Sequence, residues 1–194
     1  MQLALVTPPA GAVISLADAK LHLRVEHNAE DAYIPLLVDT AEALVAGRDG
    51  WTGRALMPQT WRLTLNAFPE HECLRLPLPP LVSVSSVTYY DAANALQTFN
   101  AADYSVLAND TPGRIELNAL ASWPVTYRRP DAVQVVFSCG YASAAAVPPA
   151  IRQAALIVLA ALYANRGDDG SFRIPPAVRH LLGAQKCWGP DDWQ

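Results

Sequence analysis

The hydrophobic period of this chain changes twice, and that change constrains its fold more than any other feature. Before Pro58, apolar residues recur at helical spacing: Leu16, Ala19 and Leu23, then Ile34, Leu37, Val38, Ala41, Leu44 and Val45. From Thr60 the period is two, with Trp61, Leu63 and Leu65 alternating with Thr60, Arg62 and Thr64. After Pro148-Pro149 the helical period returns through Ile151, Ala155, Val158, Leu159 and Leu162. A stripe of one period cannot bury one face at the other, so the three stretches are different kinds of structure. The pattern predicts an α+β chain. N-terminal helices and a C-terminal helix form a helical bundle. An antiparallel β meander or sandwich is inserted between the second and third long helices, and a C-terminal extension follows.

Local signals set the boundaries. Ser15 followed by Asp18 is a capping pair, so the first helix runs over about 15–25. The second occupies about 30–50, with Pro35 tolerable only in its first turn or two. Gly47, Gly50 and Gly53 mark its end. The β region covers about 57–140, with Val82, Val84 and Val87 in one strand and Asn109-Asp110-Thr111-Pro112-Gly113 as a turn. The third helix opens at Pro148-Pro149 and extends to about 166, because proline suits a first helical turn. Ile157 and Ala161 make it apolar nearly all round, which requires cover on several sides. These two residues are therefore candidates for a subunit interface. A Gly/Asp linker and a short helix opened by Pro175-Pro176 precede a tail over 184–194, where Trp188 and Trp193 lie amid Gly, Pro and Asp.

Several function classes are disfavoured. The net charge is −4, whereas duplex binding is driven by clustered Lys and Arg, and Arg128-Arg129 is an isolated basic pair. Cys73, Cys139 and Cys187 form neither a disulfide framework nor a CxxC metal pair. The N-terminus lacks the charged region of a signal peptide, and the apolar run over 154–164 is shorter than the roughly 20 residues that span a bilayer. His71-Glu72-Cys73 is metal-like in composition, but adjacent strand residues point to opposite faces. No Gly-rich phosphate loop or nucleophile elbow occurs. Glu26, Glu30 and Asp31 read as acids favouring a helix N-terminus rather than as an acid–base pair. The expectation is a protein without cofactor, metal or catalytic site, although a hydrolase using Glu30-Asp31 and a histidine is a third reading.

The motifs in order resemble one family. They are Ser15-Leu16-Ala17-Asp18-Ala19-Lys20-Leu21-His22-Leu23-Arg24-Val25, Glu30-Asp31, Gly53-Arg54-Ala55-Leu56, Gln59-Thr60-Trp61-Arg62-Leu63, Phe68-Pro69, Leu76-Pro77 and Pro80-Leu81. They continue with the strand from Val84 to Asp91, Trp123-Pro124, Gly140-Tyr141, Val147-Pro148, Tyr163-Ala164-Asn165-Arg166 and Ile174-Pro175-Pro176 with Leu181-Leu182. In this order the chain resembles the gp6-like head–tail connector (adaptor) proteins of tailed phages, prophages and gene transfer agents. The resemblance covers roughly residues 5–183.

The resemblance implies one connector domain over 1–183 and a docking tail over 184–194. It also implies a homo-oligomer, a dodecameric ring beneath the portal protein, that extends the DNA channel. Such a ring docks a downstream neck or tail protein, a stopper or terminator, and passes double-stranded DNA without sequence-specific binding. The implied location is the neck of a virion or phage-like particle assembled in the bacterial cytoplasm, with no membrane contact. Phe172, Ile174, Leu181, Leu182, Trp188 and Trp193 are portal-docking candidates; Glu26, Glu30 and Asp31 are channel-facing candidates. The alternative is a transient tail-completion or assembly factor that is not retained in the particle.

Overall fold

A computed structural model of the chain describes residues 1–166 and 173–187. The backbone is α+β and groups into two units, one of Met1–Pro9 with Pro58–Gly140, the other of Ala10–Met57 with Tyr141–Cys187.

The second of these units is helical. Helix α1 (Leu16–Leu23) starts where expected: the Asp18 amide donates to Ser15 Oγ at 3.0 Å, and Ser15 Oγ donates back to the Asp18 carboxylate at 2.7 Å. It stops two residues before Val25 because Arg24 turns left-handed (φ 58°), letting the Val25 amide reach the Lys20 carbonyl at 3.0 Å. Helix α2 (Ile34–Val45) is shorter than the expected 30–50. Residues 28–33 form turns instead, and Pro35 falls in the first helical turn, where the amide it lacks has no helical partner.

The loop after α2 folds back onto that helix. Trp51 and Thr52 amides donate to the Leu44 and Val45 carbonyls, and the buried Thr52 hydroxyl shares the Val45 carbonyl. Gly50 makes this return possible: a Cβ there would lie 2.0 Å from the Ala46 carbonyl oxygen. Helix α3 (Pro149–Ala164) buries Ile151, Ala154, Ala155, Val158 and Leu159. Helix α4 (Pro176–Leu182) adds Val178 and Leu182. With Ile34, Val38, Ala41 and Val45 of α2 these make one core. At 25 cal/mol per Å², burying each such aliphatic side chain contributes about 1.5–3 kcal/mol before chain entropy is charged against it.

The other unit holds two antiparallel sheets. Strands β1 (Gln2–Thr7), β2 (Gln59–Leu65), β4 (Leu81–Tyr90), β5 (Leu96–Thr98) and β8 (Val133–Cys139) form a five-stranded sheet in the order β1-β2-β8-β4-β5. Strands β3 (Cys73–Arg75), β6 (Tyr104–Leu107) and β7 (Arg114–Leu117) form a second sheet in the order β3-β7-β6. The large sheet is antiparallel but not a sequential meander. Strand β8, the last in sequence, is its centre: β2 and β4 pair its backbone on either side, and Val133, Val135, Phe137 and Cys139 on one face are all fully buried. The β region also reaches outside 57–140, since Gln2–Thr7 pairs with β2.

Strand β4 departs from simple alternation. Its pairing with β8 slips between Leu81 and Ser83 and again between Val84 and Ser86. These two bulges keep Leu81, Val84 and Val87 directly across from Cys139, Phe137 and Val135, on the same face of the sheet, and leave Val82 exposed.

Candidate functional site

The residues singled out from the sequence fall in different settings. Glu30 lies in the turn before α2. Its carboxylate accepts from the Tyr163 hydroxyl and from Arg166 Nη1, the latter at 2.6 Å. Arg166 also stacks over the rings of Tyr163 at 4.0 Å and Tyr33 at 5.2 Å. Thus the Tyr163-Ala164-Asn165-Arg166 ending of α3 is a clamp on the start of α2. The Arg166 hydrogen bond, with that of Tyr163, holds the Glu30 carboxyl down at about 2. Asp31 pairs with Lys20 Nζ at 2.7 Å, and the same ammonium donates to Asn28 at 2.8 Å. Glu26 is exposed. Two of the three channel-facing candidates are therefore charge-compensated within the chain.

This arrangement suits structure better than acid–base chemistry. A general acid or base works best with a pKa near the operating pH. Glu30 is far below it and committed to a guanidinium. Among the described residues, no three His, Cys, Asp or Glu side chains converge as metal ligands. Burial pushes the Cys139 thiol up to about 12, which makes it a poor nucleophile.

The interface candidates Ile157 and Ala161 are half-buried on α3. Of the portal-docking candidates, Leu182 is fully buried in the helical core, while Ile174 and Leu181 pack against that core and are half-buried. Phe172, Trp188 and Trp193 lie outside the described residues. The first residues of the expected tail are packed: Cys187 is buried and its amide donates to the Thr52 carbonyl at 2.9 Å, and Arg54 Nε donates to the Gln185 carbonyl at 2.7 Å.

Two surfaces escaped the sequence reading. Around Trp51, Arg179 and Lys186 approach the indole ring at 5.5 and 5.8 Å. Residues 173–187 carry Arg173, Arg179 and Lys186 and no acid, a signal visible in the sequence. The second surface is the segment 118–127, where Leu120, Val125 and Tyr127 face solvent while Trp123 stacks on Phe68 at 4.7 Å. No local pattern separates these exposed aliphatics from core residues.

No family model and no curated protein matches the sequence. Solved structures do. A chain from a structure described as the neck of an empty gene transfer agent particle, computed with C6 symmetry, matches at a TM-score of 0.79 and 27% identity, covering 97% of this chain and 96% of that one. One from the neck of the native particle, computed with C12 symmetry, gives 0.77 and 25% over the same shares. One from the virion of the native particle gives 0.78 and 26%, again over 97% and 96%. The chain thus has, over nearly its whole length, a fold found in the necks of gene transfer agent particles, and its resemblance to the gp6-like head–tail connectors extends from its motifs to its three-dimensional structure.

Proposed function

We propose that this chain is a structural neck protein, a head–tail connector that acts by geometry and docking rather than by catalysis. The observation that carries the reading is the fold match over 97% of the chain to a protein of a C12-symmetric neck. A ring of such copies beneath a portal extends the channel through which double-stranded DNA passes. Its other face receives the next neck or tail protein.

The chain's own chemistry supports this. Its net charge of −4 gives a conduit little grip on phosphates. Glu30 and Asp31 are paired within the subunit, so channel-facing roles for them would be those of compensated, hydrogen-bonded groups. For the portal contact, Leu182 is occupied in the core, which leaves Ile174 and Leu181, the basic side chains of α4, and the candidates Phe172, Trp188 and Trp193. Ile157 and Ala161 stay candidates for the ring contact.

The test is the copy number of this chain in purified DNA-filled particles, by quantitative mass spectrometry, with antibody labelling for position. A neck location with a number matching C12 symmetry supports the connector. Absence from finished particles removes it and leaves the transient assembly factor.

A further inference from the structure

We propose that copies of this chain pack head to tail through the helical unit, the cationic surface around Trp51 of one copy against the outer face of α2 of the next. The proposal rests on the ring reading above and names a contact that holds the ring together.

The first surface is built from α4, the residues after it and the loop after α2. The Arg179 guanidinium and the Lys186 ammonium lie over the Trp51 ring, 5.5 and 5.8 Å from its centroid. Attraction to the ring face holds both charges near one place. Both side chains are exposed, and among the described residues neither meets a carboxylate. Lys20, Arg114, Arg129 and Arg166, by contrast, each pair with an acid of their own chain. Two cations gathered on one indole repel each other, and an anion brought beside them relieves that repulsion.

The second surface has the opposite character. Helix α2 carries two acids, Asp39 and Glu42, and no cation. Its core face is Ile34, Val38, Ala41 and Val45. Leu36, Asp39 and Ala43 recur on the other side at helical spacing, and all three are exposed, Leu36 by 62%. Asp39 has no ion-pair partner among the described residues. Its charge also adds to the field that raises the half-buried Glu42 carboxyl, so a cation docked at Asp39 eases both groups.

A second copy is the occupant that fits. The cationic surface set against itself would bring like charges together, which opposes a two-fold contact. The contact is therefore heterologous, joining two different surfaces, and repeated rotation closes such a contact into a ring. The chain supplies two such surfaces: α2 and α4 both pack on α3, and the exposed faces of both lie away from the shared core. Its charge supplies the match, since residues 173–187 hold three cations and no acid while the whole chain is at −4. In a ring every subunit has a second copy on each side.

The experiment assembles particles with charge-reversed chains. Asp39→Lys alone, and Arg179→Glu with Lys186→Glu, should each cut incorporation several-fold. The chain carrying all three changes should recover most of it, because the reversed charges meet again across the contact. Full incorporation of either reversed chain overturns the proposal. So does loss in both without recovery in the triple variant, which would assign the two surfaces to other neck proteins. A second measurement changes no charge and reads the contact even where a reversed chain melts early. It uses Leu36→Cys with Ala184→Cys in a Cys73→Ser background, the thiols of Cys139 and Cys187 being buried. A short bismaleimide should give a ladder of covalent multimers, with either introduced cysteine alone staying monomeric. Dimers from Ala184→Cys alone would reveal a two-fold contact and overturn the proposal. No ladder, with the chain present in particles, overturns the contact and leaves the neck role standing. Absence of the unmodified chain from particles sinks both.

Discussion

Two carboxylates show how differently single residues are used in the helical unit. Glu42, on α2, accepts from the Val13 and Ile14 amides at 2.8 and 2.9 Å through one oxygen. Burial raises its carboxyl above the ordinary value despite those bonds. Glu42→Ala leaves two amides without an acceptor and should cost about 1–3 kcal/mol in urea unfolding. Glu42→Gln keeps an oxygen acceptor and removes the buried charge, so it should stay within about 1 kcal/mol of the parent. The sign of its pH dependence follows from the raised value. Stability linked to Glu42 falls as pH rises from the usual carboxylate value toward the raised one, so Glu42→Gln should gain on the parent with rising pH. Glu30 has the opposite sign. Its carboxyl is lowered from 4.5 to about 2, so its contribution is present above the ordinary value and is lost as pH falls toward 2. Thermal melts of the parent and Glu30→Gln should differ most near neutral pH and converge in that acid window. The Ser15-Asp18 cap was legible in sequence because its partners are three residues apart. Glu42 was not, because its partners are 28 and 29 residues away.

At the scale of elements, helix starts were easier to read than strand faces. Ser15, Pro35 and Pro149 act within one turn of themselves, so the chain announces them locally. Strand β4 is different. Leu81, Val84 and Val87 recur every three residues, a spacing that fits neither a regular strand nor a surface pattern, and only the two bulges against β8 put all three on one face, with Leu81 and Val87 buried and Val84 half-buried. Alternation alone would have put Val82 and Val84 together. The turn before β7 is equally dependent on a distant partner. A Cβ on Gly113 would lie 2.4 Å from Leu81 Cβ, and the Gly113 carbonyl accepts from the Leu76 amide at 2.8 Å. Gly113→Ala should therefore destabilise by about 1–3 kcal/mol, as overpacking does, and chemical denaturation measures it. The turn signal in Asn109-Asp110-Thr111-Pro112-Gly113 foretold a bend. It did not foretell that the glycine serves close packing.

For the molecule as a whole, the C-terminal boundary is the clearest test. The tail expected over 184–194 begins with residues that pack: Gln185 receives Arg54, and Cys187 is buried against the loop at Thr52. Chains ending at Cys187 and at Gly183 isolate the contribution of these contacts. One ending at Gly183 should lose about 1–3 kcal/mol, because the Arg54 donor and the Thr52 acceptor lose their partners, and calorimetry of the two truncations separates them. By itself the sequence determined the type of each segment, since period and capping are local properties that every neighbour along the chain shares. It also carried the order of motifs that resembles the connectors. Only the tertiary structure decided that β8 lies at the centre of the large sheet, that Gln2–Thr7 joins it beside β2, that Leu182 is core, and that Leu120 and Leu96 face water. Those outcomes depend on which distant segments come to lie side by side, and a leucine has the same local pattern whether its neighbour is a strand or solvent.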